Sequence, residues 1–265
     1  MSFRTLRKKL GLQRAEFAAS GAAPIAPEVL KFFMSIGVPL FEAYGMTENC
    51  AYATSNSPEN IKIGTVGIPA HGVELKLADD GEILIRSGGV FKGYFKDDQA
   101  TSETIDKDGW LHTGDVGIYE GDFVKIIDRK RDIIITSGGK NVSPSEIENK
   151  IKVSPFIKEA IVIGDRRKFL SVLIGIEFDT VSNWALRKNI PHTTYRDLSE
   201  KQEVKDLVWK EISRANELTS SLEVREFRMI PKELDHEEGE LTATQKVKRN
   251  VLIDQFSDLI EEMYS

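Results

Sequence analysis

The chain contains a single cysteine, Cys50, in 265 residues. An internal disulfide needs two cysteines, so that crosslink is excluded, and so is a metal site built from several thiolates. Such sparse use of cysteine is typical of proteins from a reducing compartment, and we expect a cytoplasmic protein.

Long apolar runs and an excess of basic residues are also lacking. No stretch approaches the ~20 apolar residues that a membrane-spanning helix needs, and the basic opening of residues 1–9 has no apolar signal-peptide core. The chain carries 36 Lys+Arg against 42 Asp+Glu, a formal net charge of −6. Because no basic field attracts nucleic acid or anionic lipid, we expect a soluble protein without a nucleic-acid partner, and the sequence does not indicate a peripheral membrane contact.

The hydrophobic content is sufficient for one or two globular domains, since 40% of the residues are hydrophobic. Near the start, the pattern predicts a strand over residues 15–19, a helix over residues 27–36 and a strand over residues 38–41. This order favours a parallel sheet, whose ligands bind at the carboxyl ends of the strands. Residues 20–24 and 42–48 follow those ends, so both segments are candidate binding loops.

Short alternating strands follow from residue 64. Asp80-Gly81 lies between two of them and predicts a β-hairpin within a small β-subdomain. Farther on, Asp115 follows a Thr-Gly turn. An ionised Asp there could accept two hydrogen bonds from a ribose diol, although a lone Asp in a turn is more often an ordinary turn former.

Five consecutive charged residues, Asp128 to Asp132, predict an exposed joint, because ions are costly to bury unpaired. A β-branched run, a Gly138-Gly139 turn and a helix start with Ser143 as N-cap follow. We therefore predict two domains, over residues 1–129 and 130–265.

The second domain has the pattern of a compact α+β module with its own core. Its predicted helices cover residues 146–153, 181–189, 199–218 and 250–264, and its strands cover residues 157–163, 170–176 and 227–230. The loop over residues 238–249 ends in three cations among four residues. It is either a solvated flank or a mobile loop whose lysine reaches a phosphate, and the residues alone leave both readings open.

Five motifs in succession resemble those of the adenylate-forming acyl-CoA synthetases, most closely the long-chain fatty acid:CoA ligases, including the bubblegum type. The motifs are Ser-Gly-Ala-Ala-Pro, Glu-Ala-Tyr-Gly-Met-Thr-Glu, Trp-Leu-His-Thr-Gly-Asp, Asp-Arg-Lys-Arg-Asp with Ser-Gly-Gly-Lys-Asn-Val, and Leu-Thr-Ala-Thr-Gln-Lys-Val-Lys-Arg. The resemblance covers nearly the whole chain. It implies a fold of class α/β with α+β: the end of the large adenylate-forming domain, with an incomplete parallel sheet and a small β-subdomain, followed by a small α+β lid domain.

The resemblance also implies a two-step reaction. A fatty acid and ATP with Mg²⁺ give an acyl-adenylate and pyrophosphate, and coenzyme A then displaces AMP to form the thioester. The implied nucleotide-binding residues are Ala22, Ala23, Pro24, Glu42, Ala43, Tyr44, Gly45, Met46, Thr47, Asp115, Ile127 and Arg129. In this set Tyr44 stacks on the adenine, and Asp115 holds the ribose hydroxyls with help from Arg129.

The same resemblance assigns roles in catalysis and in coenzyme A binding. Thr47 contacts the α-phosphate, and Glu48 binds Mg²⁺. Lys246 bridges the substrate carboxylate and the phosphate during adenylation, and Arg131 stands at the hinge of the lid. Gly138 and Gly139 let the thin pantetheine arm of coenzyme A pass close to the backbone, and Lys140 faces phosphate.

Two departures from the family pattern change the expectation. The Ser/Thr/Gly-rich loop that cradles the β- and γ-phosphates is absent, so we expect the C-terminal portion of a longer synthetase, inactive alone, that associates with the missing N-terminal portion or with itself. The last motif has Thr244 and Gln245 where the family commonly has Asn or Ser and then Gly. Two alternatives stay open: a fatty acyl-AMP ligase that loads a carrier protein, and a noncatalytic regulatory or partner-binding fragment.

Overall fold

The computed structural model describes residues 3–218, 223–242 and 246–265. The chain divides into two compact units, Met1–Asp132 and Ile133–Ser265. The predicted assignment of residues 1–129 to a nucleotide-binding domain and of residues 130–265 to a mobile lid stays a prediction.

The first unit begins with a small mixed sheet in the order β1-β2-β3-β4. Strand β1 is parallel to β2, while β3 is antiparallel to both of its neighbours. The parallel pair confirms the predicted strand-helix-strand unit. The elements are α1 (Phe3–Lys9), β1 (Ala18–Ser20), α2 (Pro27–Ser35), β2 (Leu40–Tyr44), β3 (Thr54–Ser55) and β4 (Ile68–Pro69).

Two predicted strand positions in this sheet were wrong. Strand β1 starts three residues later than predicted. It is not buried, because it pairs only with β2 among the described strands. Strand β2 continues to Tyr44, since Ser20 pairs with Glu42 on one side and Thr54 pairs with Tyr44 on the other. Glu42 and Tyr44 therefore have fixed strand positions and do not belong to a loop.

The second sheet of this unit is an antiparallel meander. It consists of β5 (Val73–Leu77), β6 (Glu82–Ser87), β7 (Leu111–Glu120) and β8 (Phe123–Arg129), with helix α3 (Asp98–Thr104) between β6 and β7. The predicted Asp80-Gly81 hairpin is confirmed, and Gly81 adopts φ +81° in its turn. Alternating apolar residues bury one face of the sheet and form a core with Tyr44 and Ala53: Ile83, Ile85, Leu111 and Val124.

The second unit is built on a three-stranded sheet in the order β11-β12-β13. All seven residues of β12 are buried because side chains pack on both of its faces. The elements are β9 (Ile134–Ile135), β10 (Asn141–Val142), α4 (Pro144–Ile151), β11 (Ile157–Ile163), β12 (Leu170–Ile176), α5 (Phe178–Arg187), α6 (Tyr195–Glu200), α7 (Gln202–Glu217), β13 (Val224–Met229), α8 (Arg249–Gln255) and α9 (Ser257–Glu262).

Three further expectations were wrong. The helix predicted over residues 199–218 is divided between α6 and α7, because Lys201 is extended at φ −62°, ψ 134°. The last predicted helix is interrupted at Phe256, whose ring is buried in the core below β11 and β12. The charged joint is not fully exposed, since Asp128 is 6% exposed and its Oδ1 accepts a hydrogen bond from the backbone N–H of Arg129.

Within residues 3–218, 223–242 and 246–265, none of the helices combines the length and the apolar character that crossing a bilayer requires.

Candidate functional site

Tyr44, the last residue of β2, is the buried aromatic residue of the candidate site. Its side chain packs in the core of the first unit. Its hydroxyl donates a 2.6 Å hydrogen bond to Oδ2 of Asp115. Burial and the negative charge of Asp115 raise the pKa of the Tyr44 phenol well above its usual value, so the hydroxyl remains a donor at neutral pH.

Asp115 is directed at Tyr44 by an irregularity in β7. Strand β6 pairs Glu82 with Val116 but Leu84 with His112, so two additional residues of β7 lie between these pairs. A bulge of this kind changes the direction of the side chains on it. In β7 the bulge lies at the position where the Asp115 carboxylate meets Tyr44, the last residue of β2.

Arg129 is the third member of this cluster. It is directly opposite Asp115 in the β7–β8 ladder. Its Nε lies 3.8 Å from Oδ1 of Asp115, and about half of the guanidinium side chain is exposed. The structure therefore brings together three predicted residues from separate motifs, and the cluster combines a buried aromatic ring, a carboxylate and a cation.

The segment of Ala22, Ala23 and Pro24 lies at the carboxyl end of β1, alongside β2. A Cβ on the preceding Gly21 would lie 3.0 Å from the carbonyl oxygen of Ala43, so the two backbones approach closely there. Ala22 adopts the left-handed conformation at φ +67°. The two predicted adenine-binding segments are thus neighbours.

Glu42 is partly buried in the same region. Burial raises the pKa of its carboxyl to about 7, and the nearby backbone N–H groups of Ile25 and Gly64 oppose that rise. Ile25 follows Pro24 directly, so the Glu42 carboxyl lies close to the segment that carries Ala22 to Pro24.

A tight turn after β2 holds Thr47 and Glu48. Gly45 is required because a Cβ there would lie 2.3 Å from the backbone carbon of Ala51. Met46 donates its backbone N–H to Oδ1 of Asn49, and a short 3₁₀ helix covers Thr47–Asn49. The turn therefore fixes the start of the segment that carries the predicted phosphate and metal contacts.

Glu48 is the predicted magnesium ligand. Its Oε1 accepts a 2.8 Å hydrogen bond from the hydroxyl of Tyr94. In the part of the chain that the structure describes, no group of three or more His, Cys, Asp or Glu side chains is placed to hold a metal. One carboxylate fits Mg²⁺ that takes most of its ligands from phosphates and water, which is the usual arrangement for Mg²⁺ with a nucleotide.

Sequence reasoning missed two residues that contact this site. Neither Tyr94 nor Glu82 belongs to one of the five motifs, yet Tyr94 binds Glu48 and Glu82 is a buried carboxylate beside the bulge. By alternation Glu82 lies on the face of β6 opposite Ile83 and Ile85, so the sequence pattern carried no signal for its burial.

The other predicted residues of the first unit lie on or after β8. Ile127 is partly buried within β8. Arg131 is 76% exposed in its side chain, and its Nε lies 3.9 Å from Oδ1 of Asp132. These positions leave the role of Arg131 as a hinge residue a prediction.

Gly138, Gly139, Lys140 and Lys246 belong to the second unit. The first three are exposed at the turn between β9 and β10, where Gly139 has φ +75°. The backbone N–H of Lys246 donates to Oγ1 of Thr242 at 3.0 Å, and the carbonyl of Lys246 accepts from the N–H of Thr242 at 2.8 Å. The motif positions Thr244 and Gln245 lie outside the described residues.

Comparison with protein families gives two matches. The profile of AMP-binding enzymes matches residues 2–95, and the profile of the AMP-binding enzyme C-terminal domain matches residues 131–265. The chain belongs to the AMP-binding enzyme family. The second match alone covers half of the chain, and this confirms the family predicted from the five motifs.

Among the relatives of this chain are proteins named as fatty-acid ligases. The long-chain-fatty-acid–CoA ligase FadD15 of Mycobacterium bovis is 37% identical over 266 residues, which is 99% of this chain and 44% of the relative. The long-chain-fatty-acid–CoA ligase ACSBG2 of Gallus gallus is 32% identical, over 99% of this chain and 38% of the relative. The chain thus spans less than half the length of these curated relatives.

Solved structures support the fold of this chain. The adenylation domain of a carboxylate reductase from Mycobacterium chelonae matches with a TM-score of 0.77 at 23% identity, over 99% of this chain and 40% of that one. O-succinylbenzoate coenzyme A synthetase from Bacillus subtilis, solved with ATP and magnesium, matches with a TM-score of 0.64 at 26% identity, over 89% of this chain and 46% of that one. The predicted fold class, the C-terminal part of an adenylate-forming enzyme, is confirmed.

Proposed function

We propose that the chain carries the adenosine-binding part and the catalytic lysine of an AMP-forming long-chain fatty acid:CoA ligase. The observation that carries this proposal is the contact of Tyr44 with Asp115, which in turn lies beside Arg129. These residues come from three motifs of the family and form one cluster. The names of the relatives at 37% and 32% identity support the fatty-acid and coenzyme A parts of the reaction.

In this proposal Asp115 accepts hydrogen bonds from both ribose hydroxyls. An ionised carboxylate has four lone-pair positions, so it can keep the Tyr44 hydrogen bond and still accept two more. Arg129 adds a positive charge near the ribose and the phosphate. Tyr44 offers its ring to the adenine, and the close approach of Gly21 to Ala43 leaves the adenine flanked by small residues.

The residues that contact the phosphate end of the nucleotide in this proposal lie in the turn after β2. Thr47 contacts the α-phosphate, and Glu48 supplies one oxygen to Mg²⁺. When bound, the metal offsets the negative charge that develops on the phosphoryl oxygens and on the leaving pyrophosphate. Lys246 acts in the same half-reaction by attracting both the fatty-acid carboxylate and the α-phosphate.

Exchange of labelled pyrophosphate into ATP, dependent on palmitate, tests the proposal. The assay is run on this chain alone and on this chain mixed with a polypeptide that supplies the rest of the relatives' length. Palmitate-dependent exchange in either preparation, followed by palmitoyl-CoA formation when coenzyme A is added, is the expected result. No exchange in both preparations contradicts the proposal.

A further inference from the structure

A buried carboxylate stands behind the bulge that carries Asp115. Glu82, the first residue of β6, is 7% exposed. Its Oε1 accepts a 2.9 Å hydrogen bond from the backbone N–H of Gly114. Its Oε2 accepts one from Nζ of Lys130 at 3.3 Å, and Nδ1 of His112 lies 3.5 Å from the same oxygen.

The bulge needs such a partner. Two additional residues in β7 interrupt the ladder with β6, so backbone groups near Gly114 lose their strand partners. Buried backbone groups that stay unpaired are costly. Glu82 binds the N–H of Gly114, while the Thr113 hydroxyl accepts from the N–H of Asp115 at 3.1 Å and donates to the carbonyl of Ile83 at 2.7 Å.

Lys130 connects the same turn to the end of β8. Its Nζ lies 2.5 Å from Oδ2 of Asp80 in addition to its contact with Glu82. Its backbone N–H donates to the carbonyl of Gly114 at 2.8 Å. Since Lys130 directly follows Arg129, Glu82 is linked to both residues that are proposed to hold the ribose.

We propose that Glu82, paired with Lys130, is a positioning residue for ribose recognition: it fixes the Gly114 turn so that the Asp115 carboxylate and Arg129 meet the ribose hydroxyls. Glu82 itself touches no ligand. The inference rests on the proposed function, because it needs Asp115 to bind the ribose. Recognition of a diol by one carboxylate depends on geometry, so a shift of the turn weakens the contacts to the hydroxyls and leaves those to the adenine.

Calorimetric titration with two nucleotides tests this role. AMP has both ribose hydroxyls, and 2′,3′-dideoxyadenosine monophosphate has neither. In Glu82→Ala we expect the dissociation constant for AMP to rise about tenfold and that for the dideoxy nucleotide to change by less than about twofold. Glu74→Gln is the matched control, because Glu74 forms an exposed ion pair with Arg86 on the same sheet; it should leave both constants unchanged.

A second variant keeps the test decisive if Glu82→Ala does not fold. Lys130→Met removes the cation and leaves the Gly114 hydrogen bond, and we expect a rise of about threefold for AMP alone. An equal loss for both nucleotides in these variants would mean that the pair only stabilises the fold, and an unchanged AMP constant would mean that it has no part in binding. If the unaltered chain itself binds both nucleotides equally, the ribose role of Asp115 in the proposed function is wrong, and this inference fails with it.

Discussion

Tyr44 and Asp115 are 71 positions apart in the sequence, and their side chains meet in one 2.6 Å hydrogen bond. Each residue could be named from its motif, but their contact could not. It depends on where β2 ends and on the bulge in β7, and both are set by pairing between strands that are distant in sequence. The alternating pattern after Asp80-Gly81 identified a strand over residues 82–85 without indicating that the carboxylate of Glu82 is buried.

The Tyr44 hydroxyl is expected to contribute to nucleotide affinity through Asp115. Tyr44→Phe keeps the ring that is proposed to stack on the adenine and removes the donor, so we expect the dissociation constant for AMP to rise by about three- to tenfold. Isothermal titration measures the effect. Tyr119→Phe is the control, since the Tyr119 hydroxyl donates a hydrogen bond to the carbonyl of Leu75 on the same sheet; a similar rise there would show that the Asp115 contact is not the cause.

Glu42 gives the first unit a pH-dependent stability. Burial raises the pKa of its carboxyl to about 7 from 4.5, so the native state favours the protonated form. The contribution to stability is complete below about pH 4.5 and is lost as the pH rises through about 7.

The side chain in Glu42→Gln cannot ionise, so this variant should not lose stability as the pH rises through about 7. We expect the free energy of unfolding of the variant to rise relative to the unaltered chain by about 1–2 kcal/mol between pH 5 and pH 8, less than full linkage because the carboxyl is only partly buried. Urea unfolding of both proteins at the two pH values measures the difference. A difference that does not change with pH would show that Glu42 is ionised throughout.

The backbone of the turn after β2 leaves no room for a side chain at Gly45. A Cβ at that position would collide with the backbone of Ala51, which cannot yield as a side-chain end can. Gly45→Ala should therefore lower the free energy of unfolding by about 2–3 kcal/mol, measured by urea unfolding. Gly88→Ala, where a Cβ meets nothing within 4 Å, should change it by less than about 0.5 kcal/mol. Equal effects would mean that the turn adapts.

Elements with local signals were predicted well, and elements set by tertiary packing were not. Strands β11 and β12 match the predicted residues 157–163 and 170–176, since continuous apolar runs define them. The break at Lys201 was missed because no Gly or Pro marks it. Thr194 caps α6 with a hydrogen bond to the N–H of Asp197, and α7 then starts separately, which lets both helices bury their own faces.

At the scale of the molecule, the profile of the C-terminal domain begins at residue 131, close to where the two units divide. The motif order identified the family because five short patterns recur in one sequence order, although each is weak alone. The family match does not test the roles of individual residues. Arg131, Lys140 and Lys246 are assigned through the resemblance, and their roles stay predictions.

Lys246 should act in only one half-reaction. In whichever preparation catalyses pyrophosphate exchange, Lys246→Ala is expected to lower palmitate-dependent exchange by at least about a hundredfold, because a positive charge is lost from the reacting carboxylate and phosphate. Conversion of supplied palmitoyl-adenylate and coenzyme A to the thioester should continue. Lys248→Ala, two positions away, is the control for a general loss of charge. Equal loss of both half-reactions in Lys246→Ala would refute the assignment.

The central claim is that Tyr44, Asp115 and Arg129 together bind one adenosine. The crystal structure of this chain with AMP tests it most directly. We expect both ribose hydroxyls within about 2.6–3.2 Å of the Asp115 carboxylate and the adenine stacked against the Tyr44 ring. AMP bound elsewhere, or a ribose that makes no contact with Asp115, would contradict the account.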